Sequence, residues 1–268
     1  MAISLSLRPA YNWRDYASMK LRAIPLLPLA LLWLSTPAPA ETINPKMEYR
    51  TCLTLARAKP EEGWEEALAW ASLGGGEPAR HCAAVALIGL GKYEEAAKRL
   101  ESLAGLSRRE EALRAEMLAQ AGQAWLLAGK PQQALADQDT ALKLMPGHPE
   151  LLLDKSVTLA SVGHYAEVVD LLSPLLKVQP NRIEAMVLRA VAYRYLDKLE
   201  LAKDDLARAL VLDPSFPDAL LERGIIRRLE ENNAGAREDW LKAIAAAPES
   251  AVADTARRNL EMMDVKVK

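Results

Sequence analysis

Apolar positions recur at helical spacing along most of the chain, and the helices that they predict come in pairs. Residues 149–180 are typical. Apolar residues lie on one helical face before Gly163 and recur at i, i+4 and i+7 after it: Leu152, Leu159 and Val162, then Val168, Leu172 and Leu175. Gly163 can take the positive φ that ends a helix, and Pro180 ends the second helix because proline cannot continue one. The pattern predicts a unit of helix, tight turn, helix and proline break.

The same unit returns along the chain, and its last three steps are 34 residues each. The turn segments are "GKYEEAA" at 91–97, "GKPQQAL" at 129–135, "GHYAEVV" at 163–169, "DKLELAK" at 197–203 and "ENNAGAR" at 231–237. Counted from fourteen residues before each turn, the five units begin at Glu77, Ala115, Pro149, Ile183 and Pro217. The last four units are closed by Pro146, Pro180, Pro214 and Pro248. A fixed period of this length predicts a solenoid, in which stacked helix pairs bury one continuous core.

Small residues recur at the eighth and twentieth places of the units. The eighth places hold Ala84, Gly122, Ser156, Ala190 and Gly224, and the twentieth places hold Ala96, Ala134, Val168, Ala202 and Ala236. Larger side chains there would force the two helix axes apart. We therefore expect these places where the two helices of a unit touch.

This pattern resembles the tetratricopeptide repeat family over five units at 77–248, of which unit five is the most degenerate. The resemblance implies an all-α, right-handed α-solenoid of helix-turn-helix repeats. We expect a shortened helix pair at 41–76 before the array and a capping helix at 249–268 after it. Ser107 with Glu110 fits a capping box, which predicts that the first helix of unit two starts early.

The resemblance also implies that the first helix of each unit lines a concave groove for a protein or peptide partner. The fifth, ninth and twelfth or thirteenth residues should face it: Gln123, Leu127, Leu153, Val157, Val187, Val191, Arg194, Tyr195, Leu221, Ile225 and Arg228. The Lys and Asn with which some family members hold a peptide carboxylate are absent at these places. An apolar strip beside Arg194 and Arg228 predicts an amphipathic helix or extended apolar peptide with acidic flanks. Alternatively, these residues pack against their neighbours or against segment 41–46.

The N-terminus has the features of a signal peptide. Residues 19–40, "MKLRAIPLLPLALLWLSTPAPA", begin with basic residues, continue with a short apolar run and end in small residues that predict cleavage after Ala40. Translation from Met19 would account for the extension at 1–18. The apolar run is shorter than the roughly twenty residues of a membrane-spanning helix, although an uncleaved anchor is the alternative. We expect an exported, periplasmic protein that does not span the membrane after cleavage.

Cys52 and Cys82 are the only cysteines of the chain. Each lies in the first helix of its unit, and an exported protein meets an oxidising compartment, so the sequence predicts a disulfide between them. Two buried free thiols are the alternative, followed by redox or metal chemistry. A metal site is disfavoured because His81 is the one further ligand in view.

Composition and motifs narrow the function. Residues 1–40 hold four of the 34 basic and one of the 36 acidic residues, so the remaining chain has a net charge of −5. No basic run marks a nucleic-acid surface, and no nucleophile with a base, phosphate loop or cofactor motif is found. The sequence thus favours a non-enzymatic scaffold without a cofactor, in an envelope or secretion assembly. The alternatives are a self-associating structural protein and an accessory factor for redox or enzyme maturation.

Overall fold

A computed structural model describes residues 45–108 and 110–264 of the 268-residue chain. The predicted signal peptide at 1–40, its cleavage site after Ala40 and the start at Met19 lie outside these residues. The described part is all-α, and its helices run in the order α1 Pro45–Ala58, α2 Pro60–Ser72, α3 Gly76–Gly89, α4 Tyr93–Leu106, α5 Glu111–Leu127, α6 Pro131–Leu144, α7 Pro149–Ser161, α8 Tyr165–Val178, α9 Ile183–Tyr195, α10 Leu199–Leu212, α11 Pro217–Leu229, α12 Asn233–Ala246 and α13 Ala251–Asp264.

The helices form stacked pairs. Helices α3 to α12 are the two helices of units one to five, and α1 with α2 form the pair before them. Each helix packs against the next in the chain, and first helices of neighbouring units also touch, as α1 with α3, α7 with α9 and α9 with α11. Helix α13 packs on both helices of unit five, and its start is capped where Ser250 Oγ accepts from the amide of Ala253 at 3.1 Å. The result is the right-handed α-solenoid that the repeat pattern predicts.

The turns between paired helices repeat one backbone conformation. In units one to three Gly91, Gly129 and Gly163 have φ of 72°, 73° and 81°. Units four and five reach the same left-handed region with Asp197 at 58° and Glu231 at 64°. A side chain with a Cβ is disfavoured there by about 1–2 kcal/mol, so the two C-terminal turns carry strain that the glycine turns do not.

The small residues at the eighth place are buried opposite the twenty-fourth place of the same unit. In unit five the residue opposite Gly224 is Trp240, and a Cβ added to the glycine would lie 2.4 Å from Trp240 Nε1. In unit two a Cβ on Gly122 would lie 3.1 Å from Cγ of Gln138. Units with alanine or serine at the eighth place carry leucine at the twenty-fourth: Leu100, Leu172 and Leu206. In unit five the two places therefore compensate each other in volume, since glycine makes room for tryptophan.

Helix α5 starts four residues before Ala115, as expected, but not through the predicted capping box. Glu110 is the N-cap residue and its side chain makes no capping hydrogen bond. Ser107 instead ends α4, and its hydroxyl donates to Glu77 Oε1 at 3.1 Å. The capping-box prediction is wrong because Ser107, which is buried, bonds across the first repeat rather than along its own chain.

Cys52 in α1 and Cys82 in α3 form a disulfide, with their Cα atoms 6.1 Å apart. Both residues are fully buried, in a cluster that includes Trp70 of α2. Beside them Tyr49 Oη lies 2.6 Å from Nδ1 of His81. The bridge closes a loop of 30 residues, which in the chain-entropy account stabilises the fold by about 3–4 kcal/mol. It joins the first helix pair to the regular array.

Candidate partner-binding face

A line of accessible side chains runs along the first helix of each unit. At 3.6 residues per turn, the second, ninth and thirteenth places lie within about 40° of one another around the helix axis. In units two to five these places are all half-buried or exposed, and we call them the groove face. It has three rows: the acid row Glu116, Glu150, Glu184 and Asp218; the middle row Gln123, Val157, Val191 and Ile225; and the outer row Leu127, Ser161, Tyr195 and Leu229.

The fifth places, which the sequence assigned to the groove, lie mostly in the core. Leu153 is 7% exposed and Val187 is 5% exposed, and both belong to the largest apolar cluster. Leu221 is half-buried and packs against the same cluster. The reason is helical geometry, because the fifth place is rotated by about 60° from the line of the groove face toward the neighbouring helix. These residues support the face from beneath, so a partner would not reach Leu153 or Val187.

Gln123 of the groove face and Arg194 beside the face are each bonded to the sixth place of the next unit. Gln123 Nε2 donates to Asp154 Oδ2 at 3.3 Å, and Arg194 forms an ion pair with Glu222, whose side chain is 6% exposed. His81 extends this pattern to unit one, since its Nε2 lies 2.9 Å from Oε1 of Gln120. These sixth-place partners were not predicted from the sequence. A polar residue at the sixth place of one unit, with a polar residue on the first helix of the preceding unit, could have indicated such a bond. The bonds hold neighbouring first helices in a fixed relative position.

Arg194 and Arg228 differ in what they offer a partner. Arg194 is occupied by Glu222, and its guanidinium also lies 4.3 Å from the ring centre of Tyr195. Burial raises the pKa of Glu222, and the bond from Arg194 opposes that rise. Arg228 is exposed. The sequence predicts an apolar strip with both arginines beside it; in the folded protein the charge of Arg194 is already neutralised by Glu222.

An aromatic pair joins units three and four at the outer row. The rings of Tyr165 and Tyr195 are stacked with centres 4.2 Å apart and planes at 2°. Tyr165 opens α8 and Tyr195 closes α9, so the pair bridges the turn of one unit and the first helix of the next. Stacked rings of this kind contribute about 0.5–1.5 kcal/mol beyond their burial. They give the outer row a rigid aromatic surface between Leu127 and Leu229.

One carboxyl beneath the face has lost solvent without gaining a charged partner from the groove. Asp154 lies at the sixth place of unit three, and its carboxylate accepts the long bond from Gln123 described above. Its backbone carbonyl accepts from Gln138 Nε2 and Thr158 Oγ1, each at 3.2 Å. Burial raises the pKa of Asp154 to about 6; the Gln123 bond opposes this and the charge of Glu150 adds to it. Negative charge at this edge of the face is therefore poorly compensated near neutral pH.

Comparison with known proteins agrees with the repeat geometry. No protein-family model matches the chain. The curated Tetratricopeptide repeat protein 8 of Caenorhabditis elegans is 27% identical over 165 residues, which are 62% of this chain and 32% of that protein, so the match spans about a third of the relative. Among solved structures, a tetratricopeptide repeat protein from Parabacteroides merdae superposes with a TM-score of 0.63 at 17% identity, covering 82% of this chain and 86% of that one.

A second solved structure, MamA from Desulfovibrio magneticus RS-1, gives a TM-score of 0.54 at 23% identity over 63% of this chain and 94% of that one. These likenesses concern the fold, and they agree with the 34-residue period and the paired helices. The chain has the fold of a tetratricopeptide-repeat array. The groove face lies on the first helices of that array.

Repeats four and five each have an ion pair between the seventh and twenty-third places, with the acid buried. The seventh place is basic in units three to five. Arg189 donates to both carboxylate oxygens of Asp205 at 2.8 Å, and Arg223 donates to both oxygens of Asp239 at 2.9 and 2.7 Å. In each case the acid is the twenty-third residue of the same repeat. These pairs tie the first helix of a repeat to its second.

Repeat two has the acid of this position without the base. Asp137 is its twenty-third residue and is 8% exposed, but the seventh place is Ala121. In the part of the chain that the structure describes, Asp137 Oδ2 has no hydrogen-bond partner. Glu101 of repeat one lies beside it and accepts from Trp125 Nε1 at 2.6 Å. Burial, reinforced by the charge of Glu101, raises the pKa of Asp137 to about 7.

Among residues 45–108 and 110–264, no group of three or more His, Cys, Asp and Glu side chains is placed to hold a metal ion. In the same ranges, no helix combines the length and apolar character needed to cross a bilayer.

Proposed function

We propose that this protein is an exported, non-enzymatic scaffold that binds a segment of a partner protein along the groove face, within an envelope or secretion assembly. The partner segment is an amphipathic helix or an extended chain whose apolar side chains contact the middle and outer rows. The scaffold class follows from the tetratricopeptide repeats. The location, the groove and the assembly are the proposal.

The accessible apolar surface of the groove face carries this proposal. Leu127 and Leu229 of the outer row are 44% and 58% exposed. Val157, Val191 and Ile225 are half-buried and lie between the outer row and the acid row in successive repeats. Apolar side chains that are contiguous across several repeats mark a protein-binding surface more often than isolated exposed ones do. Bonds between repeats hold the surface rigid, which lowers the entropic cost of binding.

Export is supported by two features at the N-terminal end. The segment 19–40 has the charge, apolar run and small residues of a signal peptide. The Cys52–Cys82 disulfide suits an oxidising compartment such as the periplasm. The intact mass of the protein recovered from its host tests this point. A mass beginning at Glu41 supports export with cleavage, whereas a mass that includes residues 19–40 supports the retained anchor.

The binding experiment compares two pairs of exposed apolar residues. A tagged protein is crosslinked in its host and purified, alongside the variant Leu127→Ser/Leu229→Ser. The matched control is Val178→Ser/Val211→Ser, which removes two residues that are each 81% exposed at the ends of second helices. A partner that is retained by the control and lost by the groove variant supports the proposal. Equal capture by all three proteins, each folded by circular dichroism, would show that binding occurs elsewhere.

Self-association is a second candidate, and the same control residues favour it. Val178, Val211 and Leu106, which is 75% exposed, lie at the ends of second helices, away from the groove face. Such side chains could meet another copy of the chain. Sedimentation of the purified protein over a concentration series tests this: a mass that rises with concentration in the wild type and not in Val178→Ser/Val211→Ser supports self-association through that edge. A redox role is disfavoured because both cysteines are fully buried in their disulfide.

A further inference from the structure

The groove face is polarised across its width. Each first helix of units two to five carries a carboxylate of the face toward its start, at the sixth residue of α5 and at the second residue of α7, α9 and α11, and continues with mostly apolar side chains toward its turn. Acids are favoured in the first turn of a helix by its dipole, which accounts for Glu150, Glu184 and Asp218 but not for Glu116. Stacking the helices places the four carboxylates on one edge of the same surface that carries the middle and outer rows. A partner in contact with the apolar rows would therefore also meet the acid row.

The carboxylates of the acid row differ in their contacts. Glu150 forms an ion pair with Arg182, and the same guanidinium lies 3.3 Å from Glu184 Oε2. Glu116 accepts a weak bond, at 3.5 Å, from the neutral amide of Gln120. Burial raises the pKa of Asp218, whose opposing hydrogen bond comes from its own backbone. Asp154, with its raised pKa, lies next to this edge.

The twelfth places of repeats four and five, Arg194 and Arg228, lie beside the face away from the acid row. They offer a partner less positive charge than the sequence suggested. Arg194 is neutralised by Glu222, so Arg228 is the accessible base at the twelfth places of repeats four and five. Charge complementarity across an interface selects partners by sign and speeds their association. The acid row is the longer charged edge of the groove face, and its charge is negative.

We propose that the segment bound by the groove face is amphipathic with a basic margin, its apolar side chains on the middle and outer rows and its Lys or Arg side chains on the acid row. This inference rests on the proposed function and specifies its partner. Neighbouring packed helices lie about 8–10 Å apart. Basic residues about every seventh position of a helical partner, or about every third position of an extended one, match that spacing. The acidic flanks expected from the sequence are replaced by basic ones.

The test is a selection from a random peptide library displayed on phage, with the purified wild-type protein as bait. The row variant Glu116→Gln/Glu184→Gln/Asp218→Asn removes three charges and leaves the Glu150–Arg182 pair intact. The control variant Glu95→Gln/Glu200→Gln/Glu238→Gln removes three exposed carboxylates from second helices, each of which is in an exposed ion pair. Selected peptides are then synthesised, and their affinities for the three proteins are measured by fluorescence anisotropy at low and high salt.

We expect wild-type selections to enrich peptides that combine apolar residues with Lys or Arg at regular spacing. The row variant should bind them about tenfold more weakly, because it loses three surface charge pairs that each contribute modestly to affinity. The control variant should bind them as the wild type does, and high salt should weaken wild-type binding most. Enrichment of neutral or acidic peptides, or equal affinity for the row variant, would overturn the basic margin.

The same experiment separates failure of this inference from failure of the proposed function. Peptides that lose affinity for Leu127→Ser/Leu229→Ser but not for the row variant would retain the groove as the binding surface and overturn the charge of its partner. Peptides that bind every variant equally, or a selection without enrichment, would count against the groove face itself and so against both proposals.

Discussion

The buried acid of repeat two gives the most specific prediction. Asp137 occupies the position at which Asp205 and Asp239 pair with arginine, but it faces Ala121 and Glu101 instead. We expect Asp137→Asn to stabilise the protein most at alkaline pH and less as the pH falls toward 4. The asparagine keeps the shape of the acid and supplies an N–H donor toward Glu101, as the protonated carboxyl does, without a charge to bury.

The magnitude follows from the pKa of Asp137 in the folded protein. It is raised from 3.8 to about 7, first by burial and then by Glu101. An acid with a raised folded pKa stabilises the fold fully below its unfolded pKa, and this contribution is lost as pH rises through the folded pKa. Each pKa unit corresponds to about 1.4 kcal/mol. Between pH 5 and pH 8 the wild type should lose about 2–3 kcal/mol that the variant keeps.

The assay is urea unfolding at pH 5 and pH 8, monitored by circular dichroism, for the wild type, Asp137→Asn and Asp139→Asn. Asp139 lies two residues further along α6, is 50% exposed and pairs with Lys155, so its replacement should change stability by less than about 1 kcal/mol at both pH values. An Asp137→Asn protein that is no more stable than the wild type at pH 8 would refute the reasoning. So would an equal difference at the two pH values, since that would be independent of the titration of Asp137.

Three further predictions concern packing and turns, and thermal unfolding followed by circular dichroism checks each of them. Ala202→Trp should destabilise the protein by about 3 kcal/mol or more, because Ala202 is fully buried between the helices of unit four; an unchanged melting temperature would contradict the repeat alignment. Gly224→Ala should cost about 1–3 kcal/mol through its clash with Trp240, whereas Gly105→Ala, whose Cβ meets nothing within 4 Å, should be neutral or stabilising. Glu231→Gly should stabilise by about 1 kcal/mol because it relieves a positive φ of 64°, and a loss of stability would mean that the side chain has a compensating role.

The repeat architecture could be derived from the sequence because it depends on local chemistry and on periodicity. Helical spacing predicts the helices, and glycine or proline at fixed intervals predicts where they end. Small residues at the eighth and twentieth places of each unit indicate where two helices touch, since a constant spacing between helix axes requires constant volumes. These features lie within one unit and recur, so each repeat supports the interpretation of the others. Where a local signal stood alone, as with Ser107 and Glu110, the prediction was wrong.

The character of the binding face, by contrast, was decided by the tertiary structure. A rotation of about 40° around the helix separates buried Leu153 from half-buried Val157, and both are apolar residues of the first helix. The charge of Arg194 is cancelled by Glu222, which is 28 residues away in the sequence. Asp137 and Glu101 approach each other because repeats one and two stack, and the seventh place that is basic in repeats three to five is Ala121 in repeat two. Such pairings join side chains in different repeats. They cannot be predicted from the sequence pattern of a single repeat, because they depend on how neighbouring repeats stack.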